Sequence, residues 1–270
     1  LLEAFEDNFF EYIPVEPISL RGEDIDQTTI VPGFDRAEEK AVKAIQKHSI
    51  NIKNIQYNRE IEKAYLLLGK ARYFDRRFFP ALEAFNFLLE TGASWSNFLD
   101  AKVWREKTNI RLKNFELAIA NIRPLARKLI TKNKYFSIAN ATLADAFMNL
   151  KNQDSALYYI KRAAQKEPKK TIKARYFFLT GQLFESIAEK DSAQWAYKQI
   201  IDLNRKAPRK FFVQALIKQN LLDTSSSFNY RIESLEKMLK NYENEPYEHS
   251  INRALAELYF KQKKDSIGLS

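Results

Sequence analysis

Four alanines set the frame of this chain. Ala81, Ala118, Ala156 and Ala193 follow one another at steps of 37, 38 and 37 residues, each inside the same two-part apolar pattern. A fixed pitch in this range signals stacked supersecondary units, because each unit leaves an apolar face that only a neighbour covers. The fullest copy reads AYLLLGKARYFDRRFFPALEAF, with Tyr65, Leu68, Gly69, Ala81 and Phe85 at its large-aromatic, Leu-Gly, small and aromatic positions. The third copy carries Leu143, Ala144, Phe147, Ala156, Ile160, Ala163 and a closing Pro168. The fourth carries Phe177, Gly181, Phe184, Ala193, Tyr197 and Ile200, and the second, with Trp104, Phe115 and Ala118, is the most degraded. Small residues let the two helices of a hairpin approach closely, while aromatics one and two turns away fill the gap to the next hairpin. The stripe of Tyr65, Phe85, Phe147, Phe177, Phe184 and Tyr197 therefore belongs to the core rather than to a base-stacking surface.

This spacing is that of the tetratricopeptide repeat, whose usual length is about 34. With only 6 Gly and 8 Pro in 270 residues, the chain lacks the turn chemistry of an all-β fold. The expected fold is all-α, a tetratricopeptide-like helical-hairpin solenoid over residues 34–270 behind an extended acidic N-terminal segment over residues 1–33. That segment holds three of the eight prolines and has no helical periodicity. The pattern predicts the second half of an incomplete first unit at Phe34–His48, followed by four pairs. A looser pair follows at Arg209–Leu222 and Asn229–Tyr242, and a last helix at Tyr247–Lys263. No apolar run approaches the roughly 18 residues of a membrane span. A start at Leu1, without Met or a signal segment, reads as part of a longer, processed protein.

A second motif keeps the same time. Asp154-Ser155-Ala156 returns as Asp191-Ser192-Ala193, and Asp265-Ser266-Ile267 follows 74 residues later. At the start of each second helix, these Asp or Ser side chains are expected to accept from exposed N–H groups, a cap worth about 1 kcal/mol. The third occurrence implies that the chain breaks off inside a repeat.

Charge is regional. The net charge is +10, yet residues 1–33 carry eight acids against Arg21 alone, whereas residues 119–175 hold thirteen Lys and Arg against three acids. The acidic segment has two uses: lying against the basic repeats or facing a partner. Lys161, Arg162, Lys169, Lys170, Lys173 and Arg175 form a candidate partner-binding surface for RNA or an acidic protein. Their places at helix ends and in a turn favour plain solvation. Chemistry is sparse: without cysteine there is no disulfide or thiol, and His48 and His249 have no ligand-like neighbours at metal spacing. Gly69-Lys70 lacks the rest of a phosphate loop, and Ser94 in TGASWSNF does not sit in a nucleophile elbow. No catalytic, cofactor or metal residues emerge, which points to a non-enzymatic chain.

Tyr12-Ile13-Pro14-Val15, Ile45-Gln46-Lys47-His48-Ser49, Tyr57-Asn58 and Leu67-Leu68-Gly69-Lys70-Ala71, with AKVWREKTNIRL and NRKAPRKF, resemble the N-terminal part of the PorW/SprE family. These are repeat-containing lipoproteins of the type IX secretion system of Bacteroidetes. The resemblance implies a lipoprotein on the periplasmic face of the outer membrane, anchored through a cysteine upstream of Leu1. It implies a bridge between the translocon and periplasmic ring or motor components, needed for export and, in gliding species, for motility. It also makes Ser155, Ser192 and Ser266 candidates for O-glycosylation, since Bacteroidetes modify Asp-Ser followed by a small or aliphatic residue. A cytoplasmic adaptor binding RNA or an acidic protein through residues 119–175 is the alternative.

Overall fold

One backbone device recurs at the repeat pitch. In the computed structural model, which describes residues 9, 11–16, 33–53, 55–91 and 94–268, Arg76, Lys113, Lys151 and Ala188 adopt left-handed φ values of 62, 64, 57 and 61°. Each stands five residues before an anchor alanine. In each case the next N–H (Arg77, Asn114, Asn152, Glu189) donates to the carbonyl five residues back at 2.8 to 3.0 Å. This bond closes the first helix of a hairpin and releases the chain into the second. The anchor alanine then donates to the carbonyl four residues back, at 2.9 to 3.0 Å. All four anchors are fully buried.

The helices are α1 (Phe34–His48), α2 (Arg59–Phe74), α3 (Phe78–Glu90), α4 (Trp95–Arg111), α5 (Phe115–Lys128), α6 (Phe136–Asn149), α7 (Gln153–Lys166), α8 (Lys170–Ser186), α9 (Lys190–Ile201), α10 (Arg209–Leu222), α11 (Phe228–Leu239) and α12 (Glu248–Gly268). A minimal antiparallel ladder, β1 (Asn51–Ile52) with β2 (Ile55–Gln56), links α1 to α2. Tight 3-10 turns lie at Asn204–Lys206 and Tyr242–Tyr247. The architecture is all-α, built of tetratricopeptide-like hairpins α2/α3, α4/α5, α6/α7 and α8/α9.

The chain divides into two units, Leu1–Asp7 with Pro14–Lys166 and Asn8–Ile13 with Glu167–Ser270. In the first, α2, α4 and α6 touch in succession to make one face, each backed by its own partner helix. Ala41 of α1 is buried beside Leu68 and Ala84, so α1 serves as the second helix of a preceding half-hairpin. Tyr73, Phe85, Leu88 and Trp104 centre the core of the first two hairpins. In the second unit, α8/α9 is followed by a core of Val213, Ile217, Leu235, Ile251 and Leu258 from α10, α11 and α12.

The Asp-Ser motif does not cap. Asn152 caps α7, accepting from the Ser155 N–H at 3.1 Å, and α9 starts behind Glu189 with no side-chain cap. The left-handed residue sets the helix start earlier than the motif, so Asp154 and Asp191 fall in the first turn. There their charge complements the helix dipole. Asp265-Ser266-Ile267 continue α12 and open no helix. Two other expected spans also shift, because Pro246 draws the stretch after α11 into a 3-10 turn.

Candidate functional site

Each unit has a helix face that holds a piece of the upstream chain. In the first unit, α4 places Trp104, Lys107 and Arg111 one above the other at helical spacing, beside Lys70 and Tyr73 of α2. The Lys107 Nζ lies 4.3 Å from the Trp104 ring centroid and the Lys70 Nζ 5.2 Å from it. Lys70 also pairs with Asp100 at 2.8 Å. Glu16 closes this cluster: its carboxylate accepts from the Lys107 ammonium at 3.1 Å and from the Tyr73 hydroxyl at 3.0 Å. Tyr73 is buried, and burial followed by the Glu16 charge pushes its phenol well above the usual range. Across the face, Asp145 of α6 is raised to about 6, first by burial and then by Glu16, with Lys107 and Arg111 opposing. The arrangement receives a carboxylate, which Lys107 attracts and the Asp145 carboxylate opposes.

The second unit grips backbone instead. Arg175, Phe178 and Gln182 share one face of α8, and Phe211, Gln214 and Lys218 share one face of α10. Phe9 stands edge-on to Phe178 and Phe211, with ring centroids 5.0 and 5.5 Å away. Ile13 is fully buried, which is worth roughly 1.5–3 kcal/mol. Between them the Gln182 carboxamide makes two bonds to the main chain: the Ile13 N–H donates to its Oε1 at 3.1 Å and its Nε2 donates to the Glu11 carbonyl at 2.5 Å. A primary amide has one acceptor and one donor side by side, which matches a carbonyl and an N–H two residues apart. An open cleft of about 380 Å³ continues past Glu11 and Tyr12, lined also by Gln182, Glu185, Ser186 and Lys218.

The basic residues singled out in the sequence are not one kind of surface. In the first unit, Arg162 lies over Phe136 and Tyr158 at 5.2 and 5.3 Å, and Lys161 on the same helix is partly buried. In the second, Arg175 is buried over Phe211 at 5.2 Å and Lys173 lies 5.8 Å from the Phe177 ring. Lys169 and Lys170, at the start of α8, are the exposed pair. Ser155 and Ser192 sit partly buried in the first turns of α7 and α9, and the side chain of Ser266 lies outside the described residues, as do residues 17–32 of the acidic segment. Among the described residues no three His, Asp or Glu side chains gather as a metal would require, and no helix is long and apolar enough to cross a membrane.

Three carboxylates escaped the sequence reading. Glu106 is fully buried, its two oxygens taken up by Arg105 at 2.6 Å, Asn109 at 2.7 Å and Asn121 at 3.2 Å. Counting 37 residues on from Gly69 would have found it. Glu62 is also buried; its Oε2 accepts from the N–H and hydroxyl of Ser94 and from Asn97, fastening the start of α4 to α2. Burial alone would raise this carboxyl, but those bonds, with the charge of Arg59, hold it below its usual range. Asp145 lies between Ala144 and Ala146 of an apolar helix, and that apolar flanking was its one local sign.

No protein-family model matches the chain, and no curated protein matches it. Among solved structures, a thermophilic tetratricopeptide-repeat protein of Thermus thermophilus is similar at a TM-score of 0.44 and 20% identity, over 74% of this chain and 99% of that one.

Proposed function

We propose that this chain is a non-enzymatic scaffold whose stacked helical faces bind partner proteins. The observation that carries the reading is the Gln182 grip on Glu11 and Ile13: a helix face here holds a non-helical piece of chain through backbone bonds and a buried aliphatic side chain. Helical repeats present such faces without setting groups around a reacting atom.

The machine we propose it serves is the type IX secretion system, with the chain bridging outer-membrane translocon and periplasmic ring or motor components. What supports this is the resemblance at Tyr12–Val15, Ile45–Ser49, Tyr57-Asn58 and Leu67–Ala71. The location that goes with this proposal is the periplasmic face of the outer membrane, through a lipid anchor upstream of Leu1. Crosslinking in native envelopes tests it: recovered translocon or ring components are the expected result, and their absence overturns the reading. In the same preparation, added mass on peptides containing Ser155 or Ser192 is the outcome expected if the Asp-Ser motif carries glycan.

A further inference from the structure

We propose that the face formed by α8 and α10 is a peptide-docking groove, filled in cis by the chain's own Phe9 and Glu11–Ile13, and that its partner is a non-helical segment with an aromatic residue four positions ahead of an aliphatic one. The occupant shows what the groove selects. Phe178 and Phe211 form an aromatic corner that takes a ring edge-on, and Phe9 supplies it. The pocket for Ile13 excludes solvent entirely. Gln182 reads neither side chain; its two bonds go to main-chain atoms of residues 11 and 13 and demand only that this carbonyl and N–H be free of helical bonding.

Nothing in this recognition requires the ligand to be part of the same polypeptide. The sequence separation of 169 residues between Ile13 and Gln182 means that no local structure presents the segment to the groove. Held in cis, Phe9–Ile13 competes with any partner at a high effective concentration, so a partner must match the pattern and carry further contacts to displace it. The open cleft beside Tyr12, with Glu185 and Lys218 paired across 3.0 Å on its wall, is where such contacts form. The inference deepens the scaffold reading and rests on it, but not on any particular secretion machine. Its test uses purified protein alone, so failed crosslinking and failed peptide binding are separate results.

The experiment empties the groove in the full chain with Phe9→Ser and Ile13→Asp and adds a labelled peptide of residues 8–16, NFFEYIPVE, with a scrambled control. The emptied chain, checked for native helicity, is expected to bind the peptide at least about tenfold more tightly than the unaltered chain. Adding Gln182→Ala should weaken that binding by about fivefold or more, since two backbone bonds are lost. A folded, emptied chain that ignores the peptide, or that takes the scrambled peptide equally well, overturns the proposal. Should the double substitution unfold the unit, Gln182→Ala in the otherwise unaltered chain decides by hydrogen exchange. The Ile13 amide should then exchange about tenfold faster while the amides of α8 keep their protection. An unchanged Ile13 amide, or loosening of all of α8 alike, overturns the proposal.

Discussion

The first and fourth hairpins solve their close approach with glycine, and the second solves the same position with a carboxylate. Gly69 and Gly181 lie at equivalent places, and a Cβ on either would strike a buried ring, Phe85 in one and Tyr197 at 2.5 Å in the other. By the same 16-residue offset that separates Gly69 from Phe85 and Gly181 from Tyr197, Glu106 corresponds to Ile122 in the second hairpin and Ala144 to Ile160 in the third; all four of these residues are fully buried. Where the opposite residue is a large aromatic the helix keeps glycine, and where it is isoleucine there is space for more. The second hairpin fills that space with polar bonds from Arg105, Asn109 and Asn121. The pitch thus conserves a volume across the helix pair rather than a residue type.

Removing the carboxylate should break this comparison hardest. Glu106→Ala leaves the amides of Asn109 and Asn121 without an acceptor and strips Arg105 of its partner, an expected loss of about 4 kcal/mol. Chemical denaturation of the purified chain measures it. Glu106→Gln keeps the shape and one acceptor and should recover part of the loss.

Exchanging one solution for the other comes next. Gly181→Ala sets a methyl against the fully buried Tyr197 ring, and after the gain in helix propensity it should cost about 2–3 kcal/mol. In a Tyr197→Ile background the same substitution reproduces the Ala144 and Ile160 pair. There it should be neutral or stabilising by up to about 1 kcal/mol, so a double-mutant cycle reads the coupling directly.

These pairs explain what was legible in the sequence. The anchor alanines were visible because a small residue is required in every copy, and α1 and α10 have the bounds that the apolar pattern predicts. Glu106 was hidden because the second copy conserves volume and not identity. The capping role assigned to Asp154 and Asp191 failed because the helix start is set by Lys151 and Ala188, and nothing in a lysine or an alanine announces a left-handed backbone. Phe9–Ile13 was read as extended chain. Its seat beside Gln182 is a contact across most of the sequence, which local patterns do not encode.

A neighbouring carboxylate sharpens the contrast through pH. Glu106 is saturated with donors, whereas the Asp145 carboxylate receives a long bond, 3.4 Å, from an Asn149 amide that donates at 2.8 Å to the Asp145 backbone carbonyl. Burial, then the Glu16 charge, raises the Asp145 carboxyl from 3.8 to about 6. Between those two values the folded chain holds a proton that the unfolded chain has released. Its contribution to stability is therefore full below about pH 4 and is lost as pH rises through 6. Asp145→Asn should match the unaltered chain near pH 4 and exceed it by about 1–2 kcal/mol at pH 7, allowing for partial solvent screening. Melting temperatures across that range check the sign.

The smallest effect concerns what all the hairpins share. Arg76, Lys113, Lys151 and Ala188 all carry a side chain in a left-handed conformation that glycine adopts without the Cβ clash. The repeat places glycine inside its helices, where it costs helix propensity, and omits it from the turns, where it would help. Lys113 and Lys151 are the cleanest places to test this, since both are exposed. Replacing either with glycine should stabilise the chain by about 0.5–1 kcal/mol, the relief of strain exceeding the added freedom of the unfolded chain. The two gains should add, because the turns are a full repeat apart. If the substitutions destabilise instead, the turn is held by its bonds to Asn109 and Phe147 strongly enough that strain at φ near 60° does not limit it.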